Sequence, residues 1–418
     1  MSINTSWEVK IGSVASPTSF TSRVLSMNIQ QSVDVNVIGT GICQITLLNK
    51  DGALTPGGGG TYSSTDWFAQ GVFVSALTNT GGTDTTTQVF HGVVTNFTLV
   101  DDGVFSTVTI TAMDGLTVAG KSIGTPYPVS VTINYVAILP LTLQNTSYLK
   151  FPKLGESIGA GGYINYGDGD INLFTSTQVF NSAADLLQTA LIPSANDVLW
   201  PTTVEEYTGT ICAYYVASLP VYNTRSAANT VDMEFAPSGS VSGTKLPFSA
   251  ESFTQSFNND TLISTAIIKG LKAGLTEQSE NSANITTYGS RTVQFTSTFS
   301  ESDAASYVMA SKLVNRYGTS RFTPTSLSVT ASMIKKYADN AAHSKWYNLL
   351  SITNGIWQKA TITWTGSGAS SQTAESVIKG RTINVTPSDT EVTLLLGNWL
   401  DNHSFILNTD KLDVNFLG

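Results

Sequence analysis

Charged residues are scarce in this 418-residue chain. Lys, Arg, Asp and Glu together make up only 12% of it, about half the share of an ordinary soluble domain. Coiled coils, long helical bundles and charge-rich disordered chains all need abundant Glu, Lys and Arg, so this composition excludes them. Aromatic residues reach 10% and apolar residues of all kinds 41%, which is enough to build sizeable cores. The polarity therefore comes from Ser, Thr, Asn and Gln, and we predict a globular protein.

Clusters of basic residues are also missing. The 21 Lys and Arg residues are scattered, and the 30 Asp and Glu residues bring the net charge to −9. A dedicated nucleic-acid-binding protein needs grouped Lys and Arg to displace counterions from phosphate, so we expect no specific nucleic-acid binding. One hypothesis for so few charges is a surface largely covered by neighbouring subunits, where buried charge is costly.

The sequence has no long apolar run and only two cysteines. Its most apolar window, residues 135–143, is far shorter than the roughly 18 residues of a membrane span. Residues 1–7 lack the basic start and apolar core of a secretion signal, so we expect synthesis in a cytoplasm and no membrane span. Cys43 and Cys212 each lie in an apolar, strand-like context. That context favours two buried free thiols, and a disulfide between them stays open.

Histidine is rare as well, and no group of residues indicates catalysis. His91 lies in a strand pattern, His343 in a polar segment and His403 in a turn. None belongs to a nucleophile or zinc signature, so structural or solvated histidines are expected. We predict no catalytic residue, no cofactor-binding residue and no metal ligand, and therefore no cofactor.

Two weaker signals have ordinary interpretations. Asp168 and Asp170 alternate as Ca²⁺ ligands do, but the rest of a calcium loop is missing. Trp346, Trp357 and Trp364 lie in one stretch and could form a sugar-binding platform. Such tryptophans are more often anchors of a core or an interface, and we favour that interpretation.

The hydropathy patterns predict a mainly β chain with a few helices, a β-rich α+β fold. One helix is expected at residues 183–191. A second is expected at residues 304–317, where one stripe runs from Tyr307 to Tyr317 and Gly318 ends the helix. Strands are expected at residues 33–37, 42–48, 71–77, 89–99, 104–112, 211–216, 230–235, 263–272, 292–298, 326–333, 361–365, 376–386 and 390–396.

The distribution of these elements predicts three parts. Residues 1–120 and residues 261–418 are strand-rich and of the size of a barrel. Residues 121–260 are less regular, with glycine-rich turns and one helix. We therefore expect two barrel-like β-domains that flank a smaller α+β middle region.

Short motifs occur in both strand-rich parts. The N-terminal part carries ITLLNKDG at residues 45–52, VFHGVV at 89–94 and VTITAMDGL at 108–116. The C-terminal part carries YGSR at residues 288–291, before the predicted helix, and INVTP at 383–387. In their order and spacing these motifs resemble those of the tail-tip hub, or minor tail, proteins of tailed bacteriophages.

The resemblance implies a structural virion protein and no enzyme, located at the phage tail tip and assembled in the host cytoplasm. Such a hub adapts the sixfold tail tube to a threefold tip and shapes the DNA exit channel. Its partners would be further copies of the chain in a trimer, the tail tube or distal tail protein ring, the tape measure protein and the tail fibre proteins. DNA would pass without specific binding, which the acidic balance favours.

Two alternatives stay open at this point. One is a hexameric distal tail ring protein, a different ring of the same machine. The other belongs to a different class, a carbohydrate-binding or cell-wall-degrading tail component. The absence of a clear acid and base pair argues against the second.

Overall fold

The structure is a computed structural model that describes residues 6–114 and 233–398, together with four short segments between them. Those segments are residues 127–128, 177–178, 198–204 and 211–217. The predicted helix at residues 183–191, the Asp168 and Asp170 pair, and His403 lie outside the described residues. Within the two long ranges, short breaks fall at residues 14–15, 35–36, 81–82, 102–105, 257–261, 270–275, 297–302, 319–322, 339, 353–354, 357 and 367–369.

Strands dominate the described residues, as the composition and the alternating patterns predicted. The strands of the N-terminal part are β1 (Ser6–Ser13), β2 (Ser16–Ser19), β3 (Val24–Asp34), β4 (Val37–Leu48), β5 (Gly71–Thr80), β6 (Thr83–Asp101) and β7 (Ser106–Met113). Those that follow are β8 (Tyr127–Pro128), β9 (Thr177–Gln178), β10 (Val198–Val204), β11 (Ile211–Ala217), β12 (Met233–Pro237), β13 (Leu246–Phe248), β14 (Thr254–Ser256), β15 (Thr265–Lys269), β16 (Thr276–Glu280), β17 (Thr292–Thr296), β18 (Thr323–Thr330), β19 (Lys359–Thr365), β20 (Ser371–Val385) and β21 (Thr390–Asn398).

Helices are few and lie in the C-terminal part of the described chain. The α-helices are α1 (Ser282–Tyr288), α2 (Asp303–Tyr317), α3 (Ala331–Tyr337) and α4 (Asn340–Leu350), and single 3-10 turns occur at Thr21–Arg23, Trp67–Ala69 and Ala250–Ser252.

One large sheet of 14 strands joins the two ends of the chain. Its order is β13-β12-β19-β20-β3-β4-β7-β6-β5-β1-β2, and β21, β18 and β14 extend it from β20 along a second branch. The connection is the antiparallel pair of β3 and β20, in which Ile29 lies opposite Ile383 and Ser32 opposite Gly380. The mainly β class with few helices is confirmed, while the division into two barrel-like domains stays a prediction.

An apolar core lies beneath the joined sheet. Strand residues from both ends contribute to it, among them Ile29, Ile45, Ile110 and Ile383, all fully buried. Trp346 of α4 packs in the same cluster and is fully buried too. Alternation along each strand explains this arrangement, because every second side chain points to the same side of a sheet.

A smaller unit leaves the main sheet between β14 and β18. These two strands pair, with Ser256 opposite Thr323, so the chain between them departs and returns at neighbouring positions. The unit holds a three-stranded sheet, β16-β15-β17, with α2 packed beside it. Its apolar core is separate from the main one and consists of Ala266, Ile268, Ala310, Leu313 and Val314.

Most predicted strands and the helix at residues 304–317 are confirmed, but three details were wrong and helix α4 was not predicted. Residues 33–37 do not form one strand, because β3 ends at Asp34 and β4 begins at Val37. The strand predicted at 326–333 ends at Thr330, whose side chain caps α3 by accepting from the Met333 amide. Helix α4 runs through the segment around His343. Tyr307 is half exposed and does not belong to the buried stripe of α2.

Candidate functional site

The side of the main sheet opposite the core carries hydroxyl and amide side chains. Two rows of paired residues on this side cross from β7 through β4, β3, β20 and β21 to β18. We call these two rows the polar face. Glu391 is the one charged residue in these two rows. One row is Thr111, Gln44, Asn28, Asn384, Glu391 and Thr330, and the next is Met113, Ile42, Gln30, Thr382, Thr393 and Ser328.

Side chains of the polar face bind one another across strands. The Asn28 amide donates to the Asn384 side chain across the β3–β20 pair, and Gln30 Nε2 donates to Asn28 Oδ1 at 3.0 Å. On the next strands the Ser328 and Thr393 hydroxyls lie 2.9 Å apart. Neutral hydrogen bonds of this kind order the surface without placing charge on it.

A buried arginine lies beneath the polar face where the two ends of the chain meet. Arg381 of β20 is 2% exposed. Its Nε and one terminal nitrogen donate to Gln31 Oε1 of β3, at 3.0 and 2.7 Å. The guanidinium also donates to the backbone carbonyls of Leu349 and Val89. One side chain therefore binds β3, β6 and the end of α4.

The acceptors around Arg381 that the structure gives are all neutral. Burial without an opposite charge disfavours the charged form and lowers the pKa of Arg381 to about 9. A buried cation of this kind is held by its hydrogen bonds alone, so losing an acceptor is costly.

Two glycines make room for this junction. A Cβ at Gly355 would overlap the Arg381 guanidinium, and a Cβ at Gly380 would lie 2.9 Å from the Gln31 carbonyl oxygen. The register between β20 and β21 shifts between Ile378 and Gly380. The close approach of β3 and β20 thus depends on small residues beside the arginine.

The motif ITLLNKDG ends in a turn held by a buried asparagine. Asn49 accepts from the Leu54 amide at 2.8 Å, and its Nδ2 donates to the Thr55 and Ser106 hydroxyls at 3.0 and 3.1 Å. Gly52 takes a positive φ of 68°, which a glycine tolerates without strain. The motif therefore serves the fold, because it ties the β4 end to β7.

We expect Asn49→Ala to lower the free energy of unfolding by about 2 kcal/mol, because it leaves the buried Leu54 amide without its acceptor. Denaturant unfolding followed by circular dichroism measures this loss. Asp51→Asn is the matched control in the same turn. Asp51 pairs with Arg23 through two contacts of 2.8 and 2.6 Å, but on the surface, so its loss should be much smaller. Equal losses in the two variants would contradict the assignment.

The Arg23 guanidinium beside Asp51 holds the pKa of that carboxyl well below its usual range, chiefly through the hydrogen bonds. Both side chains lie at the surface, where solvent weakens such pairs. This salt bridge joins the turn to the segment just before β3.

The residues considered for chemistry are dispersed. His91 is buried on β6, where its ring stacks on Phe73 with centroids 4.6 Å apart, and burial lowers its pKa to about 4. His343 lies on α4, and partial burial lowers its pKa as well. Cys43 is a buried free thiol whose pKa burial raises strongly, as expected. Cys212 lies on β11.

Two of the three clustered tryptophans belong to the main core. Trp346 and Trp364 are buried, at 0% and 8% exposure, so they form the core as favoured and offer no platform to a sugar. Trp357 lies outside the described residues. No group of three or more His, Cys, Asp or Glu that could hold a metal ion occurs in the described part of the chain. Among the same residues, no helix is long and apolar enough to cross a membrane.

A groove of about 260 Å³ opens on the polar face over the β3–β20 junction. Gln30, Ser32, Thr382 and Leu395 line it, and Arg381 lies at its wall. Hydroxyls and amides without an adjacent general base do not form an activated nucleophile. The described residues of the groove therefore do not supply the activated nucleophile of a hydrolytic site. The sequence predicted neither the groove nor the polar face.

The fold is that of a bacteriophage tail protein. The structure is similar to the tail protein from Neisseria meningitidis MC58, with a TM-score of 0.56 over 95% of this chain and 97% of that chain. It is also similar to the 43 kDa tail protein of prophage MuSo2 from Shewanella oneidensis, with a TM-score of 0.52 over 94% and 98%. Sequence identity is 11% in both cases, so the likeness is one of fold.

Sequence comparison alone does not reach these proteins. No protein-family model matches the chain, and no curated protein matches it. The resemblance drawn from the short motifs is nevertheless confirmed at the level of the fold.

Proposed function

We propose that this chain is a structural subunit of a bacteriophage tail, the hub at the distal tip that adapts the sixfold tube to a threefold tip. The observation that carries the proposal is the sheet that joins both ends of the chain through β3 and β20, in a fold shared over nearly the whole length with tail proteins. One chain thereby supplies two strand-rich parts, and three chains supply six. The proposed role is structural, without enzymatic activity.

The polar face is the part of the sheet best suited to line the DNA exit channel. A lumen that passes DNA must bind neither phosphates nor bases. The two rows of the polar face contain no Lys or Arg, which excludes counterion release as a source of affinity. Their hydroxyl and amide groups keep the surface wet, and Glu391 repels phosphate.

The proposed partners follow from this position. They are further copies of the chain in a trimer, the tail tube or distal tail protein ring above, and the tape measure and tail fibre proteins. The subunit would be made in the host cytoplasm and end in the virion.

Purified tails test the proposal directly. Mass spectrometry of tail-tip fractions and electron microscopy with an antibody against the chain are expected to place it at the distal end, in three copies. Absence from the particle would overturn the proposal. Six copies in one ring would instead support a distal tail ring protein, the closest alternative.

A further inference from the structure

The groove on the polar face lies beside the point where the chain leaves β21. Strand β21 ends at Asn398, three positions after Leu395 of the groove wall. Residues 399–418 follow it and lie outside the described residues. They include Phe-Ile-Leu at residues 405–407, which we call the apolar triplet. From the position of the groove and the sequence of this segment, we propose that residues 399–418 return over the polar face and bind in the groove through the apolar triplet.

The groove has an apolar wall that the described part of the chain leaves open to solvent. Leu395 is 52% exposed, and it points to the same side of β21 as Thr393, two positions before it. Ile42 of β4 also lines the groove and is half-buried. Concave surfaces with apolar walls and a few polar groups are where proteins bind the side chains of a ligand or peptide.

A glycine forms the floor of the groove. Gly380 of β20 lies opposite Ser32 of β3 and opposite Leu395 of β21. Because glycine has no side chain, the row of side chains across these three strands is interrupted there. Gln30 and Thr382 stand beside the gap. The gap can therefore receive an apolar side chain, while the neighbouring amide and hydroxyl groups bind the backbone that carries it.

The apolar triplet is within reach of the groove. Phe405 is seven positions after Asn398, and an extended chain of that length spans up to about 23 Å. Leu395 is three positions back along β21, about 10 Å at the rise of a strand. The connection is therefore long enough for the chain to turn and bring the triplet over the groove.

Attachment to β21 favours this segment over a separate partner. A ligand on a short connection has an effective concentration in the millimolar range, so even a weak contact is occupied. DNA is a poorer occupant. Among the described residues that line the groove there is no lysine, and Gln31 and the Leu349 carbonyl hold the guanidinium of Arg381. Phosphate therefore finds no available cation there.

In the proposed hub, each copy then keeps a segment of its own chain on the channel side of the sheet. This consequence rests on the proposed function, whereas the binding of the segment does not. Apolar contacts and neutral hydrogen bonds hold the segment in the groove. DNA that leaves the tail can therefore displace it without breaking an ion pair.

Cysteine labelling of the full chain tests the binding. Ser32→Cys places a thiol at the exposed rim of the groove. The comparison is the same chain with Phe405→Ser, Ile406→Ser and Leu407→Ser. We expect a maleimide to label the thiol at least about tenfold more slowly when the triplet is intact, because burying large apolar side chains stabilises the covered state by such a factor. Thr98→Cys is exposed and lies outside the groove, so its labelling should not change with the triplet.

Leu395→Ser is an independent test from the side of the groove. It removes the apolar wall without adding a charge that would alter the thiol pKa. With the triplet intact, we expect it to speed the labelling of Ser32→Cys at least about tenfold. Val100→Ser is the matched control, because Val100 is 54% exposed on β6 and lies outside the groove. It should leave the labelling rate unchanged.

The outcomes separate this inference from the proposed function. Equal labelling of Ser32→Cys with and without the triplet would overturn the binding and leave the hub role intact. Protection that disappears on dilution would mean that a second copy covers the groove, and it would overturn the inference as well. A chain that is absent from purified tails would overturn the hub role, whether or not the thiol is protected.

Discussion

Replacing Arg381 with alanine is expected to lower the free energy of unfolding by about 3 kcal/mol. The change leaves Gln31 Oε1 and the carbonyls of Leu349 and Val89 without their donor, and each buried group without a partner costs about 1–3 kcal/mol. It also opens a cavity beside Gly355. Relief from burying a charge offsets part of this loss. Denaturant unfolding measures the difference.

The matched control is Arg23→Ala, which removes an arginine from the surface pair with Asp51. Its effect should be much smaller, since solvent replaces the lost contacts. A second variant separates lost contacts from lost volume. Arg381→Leu with Gln31→Leu replaces both buried partners by apolar groups and is expected to cost less than the sum of the two single changes. Additive losses would contradict a direct bond between these side chains.

Acid should destabilise the protein through His91 by about 3 kcal/mol. Burial lowers the pKa of His91 to about 4, while in the unfolded chain it returns to its ordinary value near 6.5. Between these values the unfolded state binds a proton that the folded state does not, so stability falls as the pH drops from about 6.5 to about 4. The contribution is fully present above pH 6.5.

His91→Gln tests this dependence without removing a polar side chain. The variant should lose the part of the slope that His91 causes, whatever its stability at pH 7. Unfolding free energies measured at half-unit steps from pH 7 to pH 4 provide the comparison. His343→Gln is the control, because His343 is only partly buried and should leave most of the slope in place. An unchanged slope in His91→Gln would contradict the prediction.

Local patterns predicted much of the fold because strand alternation and helix stripes depend on near neighbours in sequence. The helix that ends at Gly318 and the hairpin of β6 with β7 are examples. The pairing of β3 with β20 has no such signal, since Gln31 and Arg381 are 350 positions apart. Helix α3 left little signal because Ile334 is the one residue that it buries. Helix α4 did carry a signal that was overlooked, since its buried residues Ala342, Trp346, Leu349 and Leu350 stand at helical spacing.

The candidate site was not predicted from the sequence. The scarcity of charge suggested a surface covered by neighbouring subunits, but it did not indicate which strands, or which side of the sheet, form the polar face. Registers such as Asn28 opposite Asn384 decide that, and they depend on tertiary pairing. The burial of Arg381 among neutral acceptors depends on tertiary contacts, so no local pattern in the sequence indicates it. The same holds for Gly92 of the VFHGVV motif, since a Cβ there would overlap the Met113 carbonyl of the neighbouring strand.

The two strands of the β3–β20 pair are synthesised at widely separated times. Ribosomes add about 5–20 residues per second, so β20 emerges on the order of 20–70 s after β3. During that wait β4 is already available to pair with one side of β3, while the strand that pairs with its other side has not yet been made. A finished neighbour or a second nascent chain on the same message can offer its own β20 to that edge, the beginning of a domain swap. Pairing of β3 with the β20 of its own chain therefore competes with pairing between nascent chains.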